Sequence, residues 1–251
     1  MSATATSLPI MRPDWPAPAR VKSAVTLRAG GVSLPPYESL NLGVHVGDAH
    51  ASVAQNRVLL RAALQLPTEP AWLKQVHGTQ VAHLPAAAPD TLEADAVCSS
   101  SVGTVCAILT ADCLPVLFCD DAGSVVAGAH AGWRGLLAGV LENTVRAMNV
   151  PASGIQAWLG PAIGPRAFEV GSEVRDAYIA NDPAAAEAFV AAAPGKYMAD
   201  LYQLARQRLQ KHGVTRVYGG NLCTFSDSRQ FYSFRRDGVT GRMATLIWLK
   251  D

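Results

Sequence analysis

The chain lacks any apolar run near the roughly 20 residues that a membrane-spanning helix needs. It also lacks an excess of charge of either sign, with a net charge of +1 and only 16% charged residues. That balance excludes a basic footprint for nucleic acid and an acidic tail, so neither nucleic acid nor membrane is an expected partner. Cysteines number five, an odd count, with no CxxC pair and no zinc-finger spacing. A disulfide framework and a closed structural zinc site are therefore not expected. The opening "MSATATSLPIMRPDWPAPAR" puts prolines where a secretory leader needs an apolar stretch, so a cytoplasmic protein is expected.

What is present is the composition of a globular protein. Hydrophobic residues make up 49% of 251 residues, enough for a sizeable core. Residues 1–19 read as a flexible arm and 20–251 as one catalytic domain, expected to be monomeric. "VKSAVTLR" (21–28) alternates like a strand, and "AWLKQVH" and "TQVAHL" read as short strands around Gly78. Asp48 is positioned to cap a helix running to about Leu66, with Val53, Leu60 and Leu64 on one face. "AAAPDTLEAD" reads as a surface loop. Between 104 and 130, "TVCAIL", "PVLFC" and "SVVAGAH" are strand runs, the last two joined by a "DDAG" turn.

Further on, 136–148 has a helical apolar face and "IQAWLG" is a strand. Residues 172–193 read as helical, broken at "NDP". Asp200 caps a helix that Gly213 stops, and "VTRVYG" and "RMATLIWL" are strands. Hairpins interspersed with helices indicate a mixed α/β fold with more antiparallel than parallel pairing.

Three isolated residues sit beside turns: His77 in "KQVHGTQ", Cys113 in "LTADCLPVLFCDD" and His130 in "GAHAGWRG". Strand ends are where a rigid scaffold meets accessible surface, which suits chemistry. Two imidazoles and a thiolate make a zinc triad whose fourth position stays open, the mark of a catalytic rather than a structural site. The same residues also suit a Cys–His nucleophile pair, or three unrelated core and turn positions. Their separations match no short metal motif. Cys98, Cys106, Cys119 and Cys223 read as small core residues.

The blocks "TLRAGGVSLPPYESLNLGVHVGD", "KQVHGTQV", "LTADCLPVLF", "AGAHAGWRGLLAGVLENTV", "LGPAIGPRAFEVGSEV" and "NLCTFSDSRQFYSFRRDGVTGRMATLIWL" occur in order along nearly the whole chain. In these the chain resembles the laccase-domain family, also known as polyphenol oxidase, purine nucleoside phosphorylase or peptidoglycan editing factor. The resemblance implies a four-layer α/β/β/α domain with mixed, largely antiparallel sheets, a fold shared with Cys–His toxin deamidases. It implies a single zinc held by His77, Cys113 and His130. It also implies activity on purine nucleosides with phosphate: phosphorolysis of adenosine, inosine, guanosine and methylthioadenosine, together with adenosine deamination. Where the family often has Asp-Gly, this chain has Asp95-Ala96, which puts a stiffer backbone at that point.

Phosphorolysis needs an anion site, and the residues offer several candidates. Arg134 lies at a helix start beside free N–H groups; Arg28 and Ser33 flank the glycines of "RAGGVS"; Asn41 in "LNLG" reads as a sugar or phosphate ligand or as a loop-stabilising Asx residue. Asp112 reads as a general base, as a partner to a ligand histidine, or as a turn residue. Trp133 reads as core or as a purine stack. Arg235, Arg236 and Asp237 read as a structural ion pair. A multicopper centre needs many histidines, commonly as His-x-His pairs, whereas the six here include no such pair. Copper remains an alternative metal for a His₂Cys site, since it outcompetes zinc for such donors. Alternative functions are a Cys–His amidase that edits peptidoglycan precursors and a laccase-like polyphenol oxidase using copper.

Overall fold

The computed structural model describes residues 8–85 and 92–251. In chain order the strands are β1 (Ile10–Met11), β2 (Val21–Thr26), β3 (Ala71–Trp72), β4 (Val81–Leu84), β5 (Ala96–Ser99), β6 (Cys106–Thr110) and β7 (Leu114–Asp120). They continue with β8 (Val126–Ala131), β9 (Ile155–Leu159), β10 (Glu169–Gly171), β11 (Phe189–Ala193), β12 (Lys196–Ala199), β13 (Arg216–Gly219) and β14 (Met243–Leu249). The helices are α1 (His50–Leu64), α2 (Trp133–Ala138), α3 (Val140–Ala147), α4 (Ser172–Asn181), α5 (Leu201–Lys211) and α6 (Phe234–Asp237).

Among the described residues the strands form three sheets, ordered β1-β2-β14-β6-β3, β13-β9-β7-β8-β5-β4 and β10-β12-β11. Pairing is antiparallel except at β3/β6, β4/β5 and β13/β9. The two larger sheets stack face to face, and strict alternation along each strand builds the layers. In β14, Ala244, Leu246 and Trp248 pack with Leu60 and Leu64 of α1 on the outer face. Ile247 and Leu249 turn inward to meet Leu117, Cys119 and Val126 of the opposite sheet. On that sheet's far side, Val116 and Phe118 pack with Leu136, Leu141, Leu204 and Ala205 of α2, α3 and α5. The result is the expected α/β/β/α order. Each fully buried leucine contributes roughly 1.5–3 kcal/mol through burial.

Several local expectations need correction. Ile10–Met11 pairs with Val25 and Thr26, and Trp15 packs against the inter-sheet core, so this part of the 1–19 arm is bound to the fold. Residues 1–7 of the arm, and 86–91 of the expected surface loop, lie outside the described residues. Asp48 does not cap α1, which starts from Ala49 without a side-chain cap. Its carboxylate accepts instead from Ser33 and Asn41. The 136–148 helix begins earlier, at Trp133, and breaks at Gly139, whose φ of 103° suits glycine alone. Helix stops at Asn181 in the 172–193 segment, a 3-10 turn follows, and Phe189–Ala193 pairs as a strand with β12. Alanine's helix propensity is overridden there by the ladder. The short strand β5 carries no clear sequence signal, because all four of its residues are buried and no alternation of exposed with buried positions marks it.

The β7–β8 hairpin is closed by Asp120. Its carboxylate accepts from Ser124 N and Oγ (2.6 and 2.7 Å) and from Val125 N (3.0 Å). Burial pushes this carboxyl up, but those hydrogen bonds outweigh it and hold it below its ordinary value. A depressed folded-state pKa stabilises the fold above the unfolded value of about 4 and loses that contribution as pH falls through the folded value. Asp120→Asn is therefore expected to lower stability by about 1–3 kcal/mol at pH 7, with the gap to wild type closing below about pH 4. Urea melts across pH 3–7 check this, and a pH-independent gap would contradict it.

Candidate metal and thiol–imidazole site

Two of the chain's crossings between the large sheets, at one end of the sandwich, carry candidate donors. Residues 73–80 lead from β3 in one sheet to β4 in the other, and 111–113 lead from β6 to β7. His77 lies on the first crossing, Cys113 on the second, and His130 near the end of β8. Both crossings need backbone that L-residues rarely adopt: φ is +62° at His77 and +88° at Asp112.

Each crossing is held by a carboxylate. Asp95, fully buried before β5, accepts from the backbone N–H groups of Val76 (3.1 Å), His77 (2.9 Å) and Gly78 (2.6 Å). The same carboxylate lies 2.8 Å from His130 Nδ1. That bond places the ring proton on Nδ1 and leaves Nε2 for the cluster. Burial raises the Asp95 pKa, and the bonds from His130, Gly78 and Val76 more than reverse this, so the group is an anion. Asp112 does the corresponding work on the second crossing. It accepts from Thr224 Oγ1 (2.6 Å), Ser233 Oγ (3.0 Å) and Arg235 N (2.7 Å). These three donors give Asp112 the partners of a turn residue, one of the roles offered by the sequence.

The ligand atoms of His77, Cys113 and His130 all lie within 4.8 Å of one another. Cys113 Sγ is 3.8 Å from His77 Nε2, and the two imidazole centroids are 4.8 Å apart. A four-coordinate zinc, with Zn–N of about 2.0–2.1 Å and Zn–S of about 2.3 Å, sets such donors roughly 3.5 Å apart. The donor set and spacing thus fit a metal ion. Gly132 makes room: a Cβ there would stand 3.0 Å from both Cys113 Sγ and His77 Cδ2. His130 is buried, Cys113 half-buried and His77 exposed, so the cluster opens toward solvent on the His77 side.

The electrostatics are those of an ion pair. Burial pushes the Cys113 thiol up, but the imidazoles of His130 and His77 outweigh it and hold it below the ordinary value. Burial pushes His130 down, and the Cys113 thiolate and Asp95 carboxylate reverse that and raise it. Cys98 and Cys119, by contrast, are pushed up to about 11 and about 12 by burial, as inert core thiols. Cys223 departs from the core reading: it is only half-buried, and its sulfur accepts from Gly164 N at 3.2 Å.

The other candidates have partners within the protein. Ser33 Oγ bonds to Asp48 and Asn56. Asn41 uses both amide donors on Gly43 O and Asp48, and its oxygen accepts from Gly43 N and Arg242 N. Both side chains are buried and satisfied by protein, as buried polar groups must be. Arg28 donates to the Glu38 and Ser228 carbonyls and lies over Tyr232. Arg134 is exposed and stacks on Trp133. Gln75, beside His77, exchanges two bonds with the Leu109 backbone, and Lys74 pairs with Glu93. Arg236 forms the expected ion pair with Asp237. Sequence reasoning left the role of Asp95 open and passed over His45 and Arg242. The only signal for them was their place in the "NLGVHVGD" and "TGRMA" blocks.

A solvent-open thiolate–imidazole cluster, able to hold one metal ion on an α/β/β/α scaffold, marks an enzyme-type site rather than a structural metal site. The chain belongs to the family described as multi-copper polyphenol oxidoreductase laccase, whose model matches residues 22–250. It is 57% identical over 242 residues to a purine nucleoside phosphorylase of Pseudomonas aeruginosa, covering 96% of this chain and 98% of that protein. Against the purine nucleoside phosphorylase YfiH of Escherichia coli it is 56% identical, covering 94% and 97%. A Neisseria meningitidis crystal structure superposes with a TM-score of 0.93 at 52% identity, covering 96% of this chain and 99% of that one.

Replacing Asp95 by Asn removes the anion that orients His130, and metal affinity is expected to fall about 10–100-fold. Chelator competition measures this, and unchanged affinity would refute the orienting role. In metal-free protein the thiolate absorbance near 240 nm is expected to titrate well below the ~8.5 of a free thiol. An ordinary midpoint would show that the ion pair is absent.

Proposed function

We propose that the protein is a zinc-dependent purine nucleoside phosphorylase acting on adenosine, inosine, guanosine and methylthioadenosine, with adenosine deaminase activity. The observation that carries the reading is the convergence of His77, Cys113 and His130 in a chain whose near-full-length relatives are named for that phosphorolysis. Zinc is favoured over copper because the donor set is a single His₂Cys cluster; among the described residues there is no second cluster to build a multicopper centre. The site is expected to work in a cytoplasmic monomer.

His77, Cys113 and His130 would hold the ion, with Asp95 keeping Nε2 of His130 turned inward. Bound there, zinc would supply Lewis acidity. In phosphorolysis a phosphate oxygen bonds to C1′ as the C1′–N9 bond breaks. The electron pair leaves with N9, and the base takes up a proton. In deamination, water replaces the 6-amino group and ammonia leaves. The solvent-facing side at His77 is where a nucleoside enters.

A second reading has its own support. The lowered Cys113 thiol and raised His130 imidazole describe a nucleophile and its acid–base partner, as in an amidase acting on peptidoglycan precursors. Chelation separates the two readings, because amidase activity survives removal of the metal.

The deciding assay incubates the protein with inosine or adenosine, with and without phosphate, and separates products by chromatography. Free base that appears only with phosphate is the expected result, and inosine formed from adenosine without phosphate is the expected side activity. Cys113→Ala is expected to lose both the zinc and all nucleoside turnover, by at least about 100-fold. Full turnover with retained metal in that variant would refute the triad.

A further inference from the structure

A phosphorylase needs an oxyanion held beside the cluster, and the residues first considered for this are committed elsewhere or lie on the exposed helix start. Arg242 is placed differently. It directly precedes β14, whose first residue, Met243, is paired with Thr110 at the start of the Cys113 crossing. Its backbone is clamped on both sides: N–H donates to Asn41 Oδ1 at 2.9 Å, and its carbonyl accepts from Leu42 N at 3.2 Å. Its stem lies against Gly43, where a Cβ would stand 2.8 Å from Arg242 Cγ and 3.5 Å from His45 Cε1.

The guanidinium is underused. Nη1 donates to the Thr240 and Gly241 carbonyls, while Nε and Nη2 have no hydrogen-bond partner among the described residues. No carboxylate forms an ion pair with it there either. Yet it is largely withdrawn from water, and burial lowers its pKa, while Cys113 and Asp112 act on it from across the site. Removing a permanent cation from water without a paired anion is costly, and a bound anion would offset that cost. His45, beside it, is held below its ordinary value by burial and by the Arg242 and Arg57 charges, so it adds no second cation.

The geometry points to Arg242 as the anion-binding residue of the active site, with inorganic phosphate as its ligand and Asn41 as the residue that positions it. The choice of phosphate rests on the phosphorylase reading. The spare Nε and Nη2 edge is the planar fork that grips two oxygens of one oxyanion. Asn41 acts through the Arg242 backbone and touches no ligand.

Thermal unfolding of metal-free protein with rising inorganic phosphate tests the assignment apart from turnover. Phosphate is expected to raise the wild-type Tm by mass action. Arg242→Gln is expected to bind phosphate at least about tenfold more weakly, and Arg242→Lys to fall between, since it keeps the charge but loses the fork. If Arg242→Gln does not fold, the Lys variant carries the comparison. In the base-release assay Arg242→Gln is expected to raise the KM for phosphate about tenfold or more while leaving the KM for nucleoside within about twofold. No phosphate response in the wild type, or an undiminished one in the Arg242 variants, overturns the assignment. So does a loss confined to Arg134→Gln. Phosphate binding that depends on Arg242 in a protein releasing no base would keep the anion site and discard the phosphorylase reading.

Discussion

A single buried carboxylate organises the functional end of this molecule. Asp95 accepts from three consecutive backbone N–H groups of the His77 crossing and from the ring of His130. Its own carbonyl accepts from His130 N at 2.7 Å, and its N–H donates to Gln80 O. A carboxylate without water must be satisfied by protein donors. Here those donors belong to two segments that otherwise share no ladder. Satisfying Asp95 therefore brings His77 and His130 together. Ala96, where the family often has glycine, is accommodated because it sits inside β5 with an ordinary partner, Ala129.

The sandwich explains why the site lies where it does. Two stacked sheets share an inter-sheet core, and the chain must cross between them at their ends. Crossings interrupt the ladders, so their backbone groups need side-chain partners. Asp95 supplies them on the His77 crossing, while Asp112 ties the Cys113 crossing to Thr224, Ser233 and Arg235. Chemistry is placed where the fold already needs buried carboxylates and positive φ. A cavity of about 750 Å³ lies elsewhere, along Arg12, Trp15, Lys22 and Trp248, and among the described residues it holds no metal donor cluster. Donor geometry, not cavity size, is the better guide to the site in this protein.

The family's names pull in different directions, and donor chemistry weighs them. One soft sulfur and two imidazoles suit a single borderline ion. They do not supply the many histidines of a multicopper centre. The thiolate–imidazole pairing also connects the metal and amidase readings, because the field that readies Cys113 as a ligand readies it as a nucleophile.

Much of this was legible in the residues. Alternation in "RMATLIWL" and "VKSAVTLR", the capping Asp200 and the "DDAG" turn all follow from local rules, and the structure has them. The three candidate donors stood out because lone His and Cys residues beside turns are unusual. Local rules failed where long-range pairing prevailed. Ala-rich 189–193 became a strand by pairing with β12, and Ser33 and Asn41 became hydrogen-bond partners of Asp48. Composition and spacing determined an α/β chain with a thiol and two imidazoles to place. Only tertiary structure decided which carboxylate orients them and how the Arg242 backbone is clamped, because both depend on hydrogen bonds between segments far apart in the chain.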